Sequence, residues 1–184
     1  MRRHQLYFIV ISVLVTAHVC VAQADGQSKP RAQKSRTRKP QVVASKIVGT
    51  WRLVSDEFRR PNGEVIPFPG LGPNVRGLLI YDATGYMAVH IVNMGRPNFA
   101  GVTNAACDDL RAALRGYRGY FGKYEINETE GYIIHHVDAS VFPNAAGQHW
   151  KRSYKLSGNH LVLEAAETAN AEQGTALITW ERVR

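Results

Sequence analysis

The sequence predicts an all-β domain, an antiparallel barrel of about eight strands with one short helix. Three observations carry that reading. Tryptophan-bearing strands, Ile47-Val48-Gly49-Thr50-Trp51-Arg52-Leu53-Val54 and Ala176-Leu177-Ile178-Thr179-Trp180-Glu181-Arg182-Val183, stand at the two ends of the region from residue 47 onward, as the closing pair of a barrel would. Between them, short runs alternate apolar and polar residues and are joined by tight-turn chemistry. A single stretch, from Asn104 to Tyr117, has helical spacing instead. Closure matters because it removes both sheet edges and leaves an interior that is either filled by side chains or hollow enough for one small ligand.

The chain opens with Arg2 and Arg3, continues through an apolar run from Leu6 to Ala22, and reaches the small-residue pattern Ala22-Gln23-Ala24. Residues 1–24 therefore read as a secretory signal peptide, with cleavage after Ala24 and Ala22 as the near alternative. The rival is a retained anchor, since the run of 17 residues meets the lower limit of the ~17–25 needed to span a bilayer. His18 within the run and the Ala-x-Ala ending favour cleavage, and Ala17-His18-Val19 ahead of Cys20 is a poor lipidation box. The expected location is secreted or periplasmic. Cleavage leaves Cys107 as the only thiol, so no internal disulfide forms and the domain relies on burial, which roughly 140 residues can supply.

Residues 25–45 read as a disordered basic linker. Residues 1–46 hold 9 of the 23 Lys and Arg side chains and one acid, whereas the remainder carries 14 of each sign. The linker contains Pro30 and Pro40 and no aromatic residue, too little apolar content to offset the entropy of ordering. Its charge predicts weak contact with an anionic membrane surface. Nucleic acid is not an expected partner, because no aromatic side chain is interleaved for stacking on bases.

The domain spans residues 46–184. After the first strand, Glu64-Val65-Ile66 is a short extended piece at the barrel rim, followed by the rim loop Pro67-Phe68-Pro69-Gly70-Leu71-Gly72-Pro73. Asp82-Ala83-Thr84-Gly85 joins Gly77-Leu78-Leu79-Ile80-Tyr81 to the strand from Tyr86 to Val92. Asn127-Glu128-Thr129-Glu130-Gly131 joins a strand from Phe121 to Ile126 to one from Tyr132 to Ser140. Ser157-Gly158-Asn159 joins Trp150 to Leu156 with His160 to Glu164. In the helix, Thr103 or Asn104 is the expected cap, Asp108 and Asp109 suit the positive end of the dipole, and Ala106, Leu110, Ala113, Leu114 and Tyr117 share a face. Gly116 and Gly119 end it, and it is placed to act as a plug or a lid.

The opening Ile47-Val48-Gly49-Thr50-Trp51, the central Tyr120-Phe121-Gly122-Lys123-Tyr124-Glu125 and His135-His136-Val137-Asp138-Ala139-Ser140-Val141-Phe142-Pro143-Asn144, and the terminal Trp180-Glu181-Arg182-Val183 together resemble the bacterial and fungal lipocalin-like domain family. The likeness covers nearly all of residues 46–184. It implies a calycin-type barrel with a small apolar pocket and implies little chemistry. It also implies that Trp51 packs against a basic residue near the end of the last strand, for which Arg182 is the best match, as a structural contact.

Period-two alternation sorts each strand into faces. Ile47, Trp51 and Leu53 share one, as do Met87, Val89 and Ile91; Tyr120, Tyr124 and Ile126; Ile133, His135, Val137, Ala139 and Val141; and Trp150, Arg152, Tyr154 and Leu156. Leu161 and Leu163, then Ile178, Trp180 and Arg182, complete the predicted interior. His135 and Arg152 interrupt it and are the functional candidates. His135 either meets a ligand or is a core histidine satisfied by Tyr124 or Tyr120. Arg152 either meets a carboxylate-bearing ligand at the cavity mouth or pairs internally with a residue such as Glu125.

His135 and His136 point to opposite faces of one strand, which argues against a shared metal ion, and no metal or other cofactor is expected. No nucleophile elbow or phosphate-cradling loop is present. The leading expectation is a non-catalytic exported module that binds a small, mostly apolar or amphipathic molecule, with Tyr120, Tyr124, His135, Trp150, Arg152 and Tyr154 as contacts. The alternatives are an isomerase or cyclase in which buried His135 moves a proton, and a filled barrel acting as a structural or envelope-interaction domain.

Overall fold

The computed structural model describes residues 42–169 and 172–184. The expected signal peptide and nearly all of the basic linker lie outside the described residues. A short helix α1 (Val42–Ile47) leads into β1 (Gly49–Arg59), β2 (Val65–Pro67), β3 (Val75–Tyr81), β4 (Tyr86–Asn93), helix α2 (Cys107–Arg115), β5 (Tyr117–Asn127), β6 (Tyr132–Ser140), β7 (His149–Ser157), β8 (His160–Ala169) and β9 (Glu172–Arg182). Every neighbouring pair is antiparallel, and β9 returns to β1 to close eight strands into a barrel. The extra strand β2 is the rim piece, seated beside the far half of β1 where β3 has diverged. All three predicted hairpins are present, and in the first the Asp82 side chain accepts the Thr84 N–H at 2.8 Å.

The end where β1 begins is closed. Trp51 is fully buried and donates from Nε1 to the Ile47 carbonyl at 2.9 Å, which pins α1 beneath the barrel. The Arg182 guanidinium lies 4.1 Å from the Trp51 ring centre and donates to the Val48 and Lys46 carbonyls. The expected tryptophan–arginine pair therefore forms. Gly49 makes room for it: its φ of 138° is open to glycine, and a Cβ there would press on Arg182. Above this floor Leu79, Tyr81, Ile133, Leu161 and Trp180 fill the lower half of the barrel.

Two bulges decide what faces inward in the upper half. In β1, Leu53 pairs with Trp180 but Ser55 pairs with Thr179, so Val54 is an extra residue and is exposed. Parity flips beyond it: Trp51 and Leu53 face in below, Asp56 and Phe58 above. In β6, Tyr120 of β5 pairs with Ser140 whereas Gly122 pairs with Val137, leaving Asp138 as the extra residue. Strict alternation placed Ala139 and Val141 on the inner face with Val137; the bulge turns Ser140 toward the interior instead, where it lines the cavity. A side chain at Gly122 would collide with the His136 carbonyl, so the bulge depends on glycine opposite it.

Helix α2 differs from expectation in three respects. Its N-cap is Ala106, with no side-chain cap, because Thr103 and Asn104 are taken up in a preceding 3-10 turn. Gly116 caps its C-terminus, whereas Tyr117 and Gly119 already belong to β5. None of its residues is buried, and Leu110 and Leu114 face outward, so it does not plug the barrel. Arg96 tethers it by donating to the Asn93 and Ala113 carbonyls, each at 3.1 Å. The rim loop does the covering: Phe68 folds in over Phe58 with rings edge to face at 5.9 Å, held by its N–H on the Asp56 carbonyl at 3.0 Å.

Candidate functional site

Four polar side chains form a chain through the apolar interior. The Tyr81 hydroxyl of β3 lies 2.7 Å from Nε2 of His135 on β6, and the Tyr120 hydroxyl of β5 lies 2.9 Å from its Nδ1. Arg152 of β7 donates from Nη2 to the Tyr120 hydroxyl at 3.4 Å. All four residues are at least nine-tenths buried. Burial, reinforced by the Arg152 charge, pushes the pKa of His135 well below its ordinary value, so the ring is neutral at physiological pH. Burial works against the charge of Arg152 too, but Tyr120 and Glu167 more than offset it and the guanidinium remains protonated. Among the described residues no carboxylate lies within ion-pair distance of Arg152, and its Nε–H has no partner.

Above this chain the barrel opens into a cavity of about 980 Å³. Tyr120, Trp150 and Arg152 line its inner wall, Phe68 and Phe142 its rim, and Arg118 and Glu167 approach from opposite sides. The Trp150 ring stands edge-on to Tyr120 at 4.7 Å, with the Arg152 guanidinium 5.7 Å from its centre. Arg118 lies over the Phe68 ring at 4.2 Å and reaches Oδ2 of Asp56 at 3.4 Å. The other Asp56 oxygen is buried and has no partner among the described residues. Burial raises the Asp56 pKa to about 6, against the opposing pull of Arg118 and Arg152.

A closed eight-stranded antiparallel ring with one extra strand and a cavity at one end narrows the comparison to small-ligand barrels. The family model described as the lipocalin-like domain matches residues 48–183. The chain belongs to the lipocalin-like domain family. No curated protein and no solved structure matches it. In this lipocalin-like barrel the match covers every strand, including the tryptophan–arginine floor, so family membership and closure rest on the same residues.

The sequence-derived candidates divide by position. Tyr120, Trp150 and Arg152 meet at the cavity wall. His135 sits one layer deeper and reaches the cavity only through the Tyr120 hydroxyl. The Tyr124 hydroxyl donates to the Asp82 carbonyl at 2.8 Å, at the opposite end of the barrel, and Tyr154 likewise lies outside the cavity lining. Glu125 is on the outer surface beside His136, not beside Arg152, and His136 packs against His149 across the β6–β7 pair. Among the described residues no His, Cys, Asp and Glu are grouped to hold a metal ion. Sequence reasoning missed Asp56, Arg118 and Glu167. Arg118 continues the period-two series Arg118, Tyr120, Gly122, Tyr124, Ile126, a signal obscured by glycines that read as helix terminators.

Proposed function

We propose that this lipocalin-like protein is an exported binding module that takes a small, mostly apolar molecule into the open half of its barrel. The observation that carries the reading is a cavity of about 980 Å³ lined by Phe68, Tyr120, Phe142 and Trp150, with Arg118, Arg152 and Glu167 among its polar groups. Ligand pockets typically measure about 300–1,000 Å³ and combine an apolar lining with a few placed polar groups. The packed lower half limits ligand length, and the rim phenylalanines Phe68 and Phe142 supply apolar contact at the mouth. Tyr120 screens His135 from the cavity, which favours binding over proton transfer on an enclosed substrate. Export is supported by the leader pattern of residues 1–24, and weak contact of the basic linker with anionic membrane surfaces by its charge.

The test is purification from the producing cells without denaturation, followed by mass spectrometry of the organic extract against a denatured and refolded control. A small apolar molecule in near-stoichiometric amount, absent from the control, is the expected result. An empty extract, together with no saturable uptake of the molecules named in the next subsection, would contradict the proposal.

A further inference from the structure

The buried polar chain fixes the direction of its own hydrogen bonds. Tyr81 is 1% exposed, and His135 Nε2 is the only partner of its hydroxyl among the described residues. A hydroxyl proton in a dry core needs an acceptor, so Nε2 is the bare nitrogen and the Tyr81 hydroxyl donates to it. The neutral ring then carries its proton on Nδ1 and donates to the Tyr120 oxygen. That oxygen also accepts from Arg152 Nη2, so both of its lone pairs are engaged. The phenolic proton of Tyr120 is left without an acceptor among the described residues, on a side chain that lines the cavity. Arg152 lines the same wall; among the described residues no carboxylate lies within ion-pair distance of it, and its buried Nε–H has no partner.

Resting on the binding function proposed above, we infer that the cavity selects ligands bearing a carboxylate, which accepts from the Tyr120 hydroxyl and the Arg152 guanidinium. Tyr81 and His135 are positioning residues, which turn the Tyr120 proton toward the ligand. Two donors side by side, one of them cationic, match the two oxygens of a carboxylate. A monoanion suits the surroundings better than a dianion, because Asp56 and Glu167 already stand near the two arginines. An alcohol or ester of the same chain satisfies at most one donor and leaves the guanidinium desolvated and unpaired.

The experiment is calorimetric titration of the full chain, as its host produces it and freed of extractable ligand, with dodecanoic acid, dodecan-1-ol, 4-phenylbutyric acid and 4-phenylbutan-1-ol at pH 7.5. A charged hydrogen bond contributes enough for each acid that fits to bind roughly ten- to hundredfold tighter than its alcohol. Tyr120→Phe and Arg152→Met, each an apolar replacement of similar shape, should bring the acid-to-alcohol affinity ratio to within about twofold of one, because each removes a donor that the carboxylate uses more strongly than the alcohol does. Equal affinity for acid and alcohol, or a preference that survives both variants, overturns the carboxylate inference and leaves the binding function standing. Binding of none of the four molecules overturns the carboxylate inference, and together with an empty extract it overturns the binding function as well. Nitrogen-15 shifts of the His135 ring provide a readout that a merely structural role would not move: the native protein should show the Nδ1–H tautomer and Tyr81→Phe a change of tautomer with a weakened acid preference. An Nε2–H tautomer in the native protein contradicts the assigned direction.

Discussion

Asp56 is the residue at which site and stability conflict most directly. Among the described residues its carboxyl is held by one ion pair, with Arg118, while its second oxygen has no partner, and burial raises its pKa from 3.8 to about 6. A folded-state pKa above the unfolded one means that the folded protein holds the proton more tightly. The resulting stability is fully present below about pH 4 and is lost as pH rises through about 6, a difference on the order of 3 kcal/mol. His135 acts in the opposite sense: its depressed pKa contributes stability above about 6.5 that is lost on acidification. Comparison with Asp56→Asn therefore isolates the aspartate. The variant should be more stable than the native protein at pH 7.5 and indistinguishable at pH 4 by denaturant midpoint; a constant offset would contradict the assignment. At the floor, Arg182→Ala removes the guanidinium from the Trp51 face and two hydrogen bonds to carbonyls, and should lower unfolding free energy by about 2–4 kcal/mol without altering ligand affinity. His135 and Arg152 were legible in the sequence because each interrupts an apolar alternation. Asp56 was not, because it lies beyond a bulge.

Strands and bulges differ in how they are written into the chain. Period-two alternation and turn residues specify each strand of the ring, and even the short rim strand β2 follows from Val65 and Ile66. A single extra residue carries no compositional mark, yet Val54 reverses every side chain after it in β1 and Asp138 does the same in β6. Strands β8 and β9 extend beyond Glu164 and begin before Ala176, through Ala-, Thr- and Glu-rich sequence that lacks strand signature. That extension brings Glu167 to the cavity. The β6 bulge can be tested through Gly122, whose missing side chain leaves space for the His136 carbonyl. Gly122→Ala should cost about 2 kcal/mol or more in denaturant unfolding and shift the amide resonances of β5 and β6 together. Unchanged stability would mean that the bulge does not need the glycine.

The whole barrel is divided along its axis. Its lower half is sealed by two tryptophans, Trp51 and Trp180, that are essentially inaccessible, and its upper half opens into a cavity whose wall carries the third, Trp150. Closure of the ring protects the strands from edge-to-edge association and leaves the mouth as the route for a ligand. The fold was legible from sequence nearly strand by strand; the cavity was legible only in part, because its depth depends on which strands bend at bulges. The division gives a direct optical test of ligand binding in the upper half. Titration with dodecanoic acid while tryptophan emission is recorded should give a saturable, one-to-one change in the native protein that vanishes in Trp150→Phe, since the floor tryptophans are out of reach. A change that persists undiminished in Trp150→Phe, or that never saturates, would contradict a ligand site in the open half of the barrel.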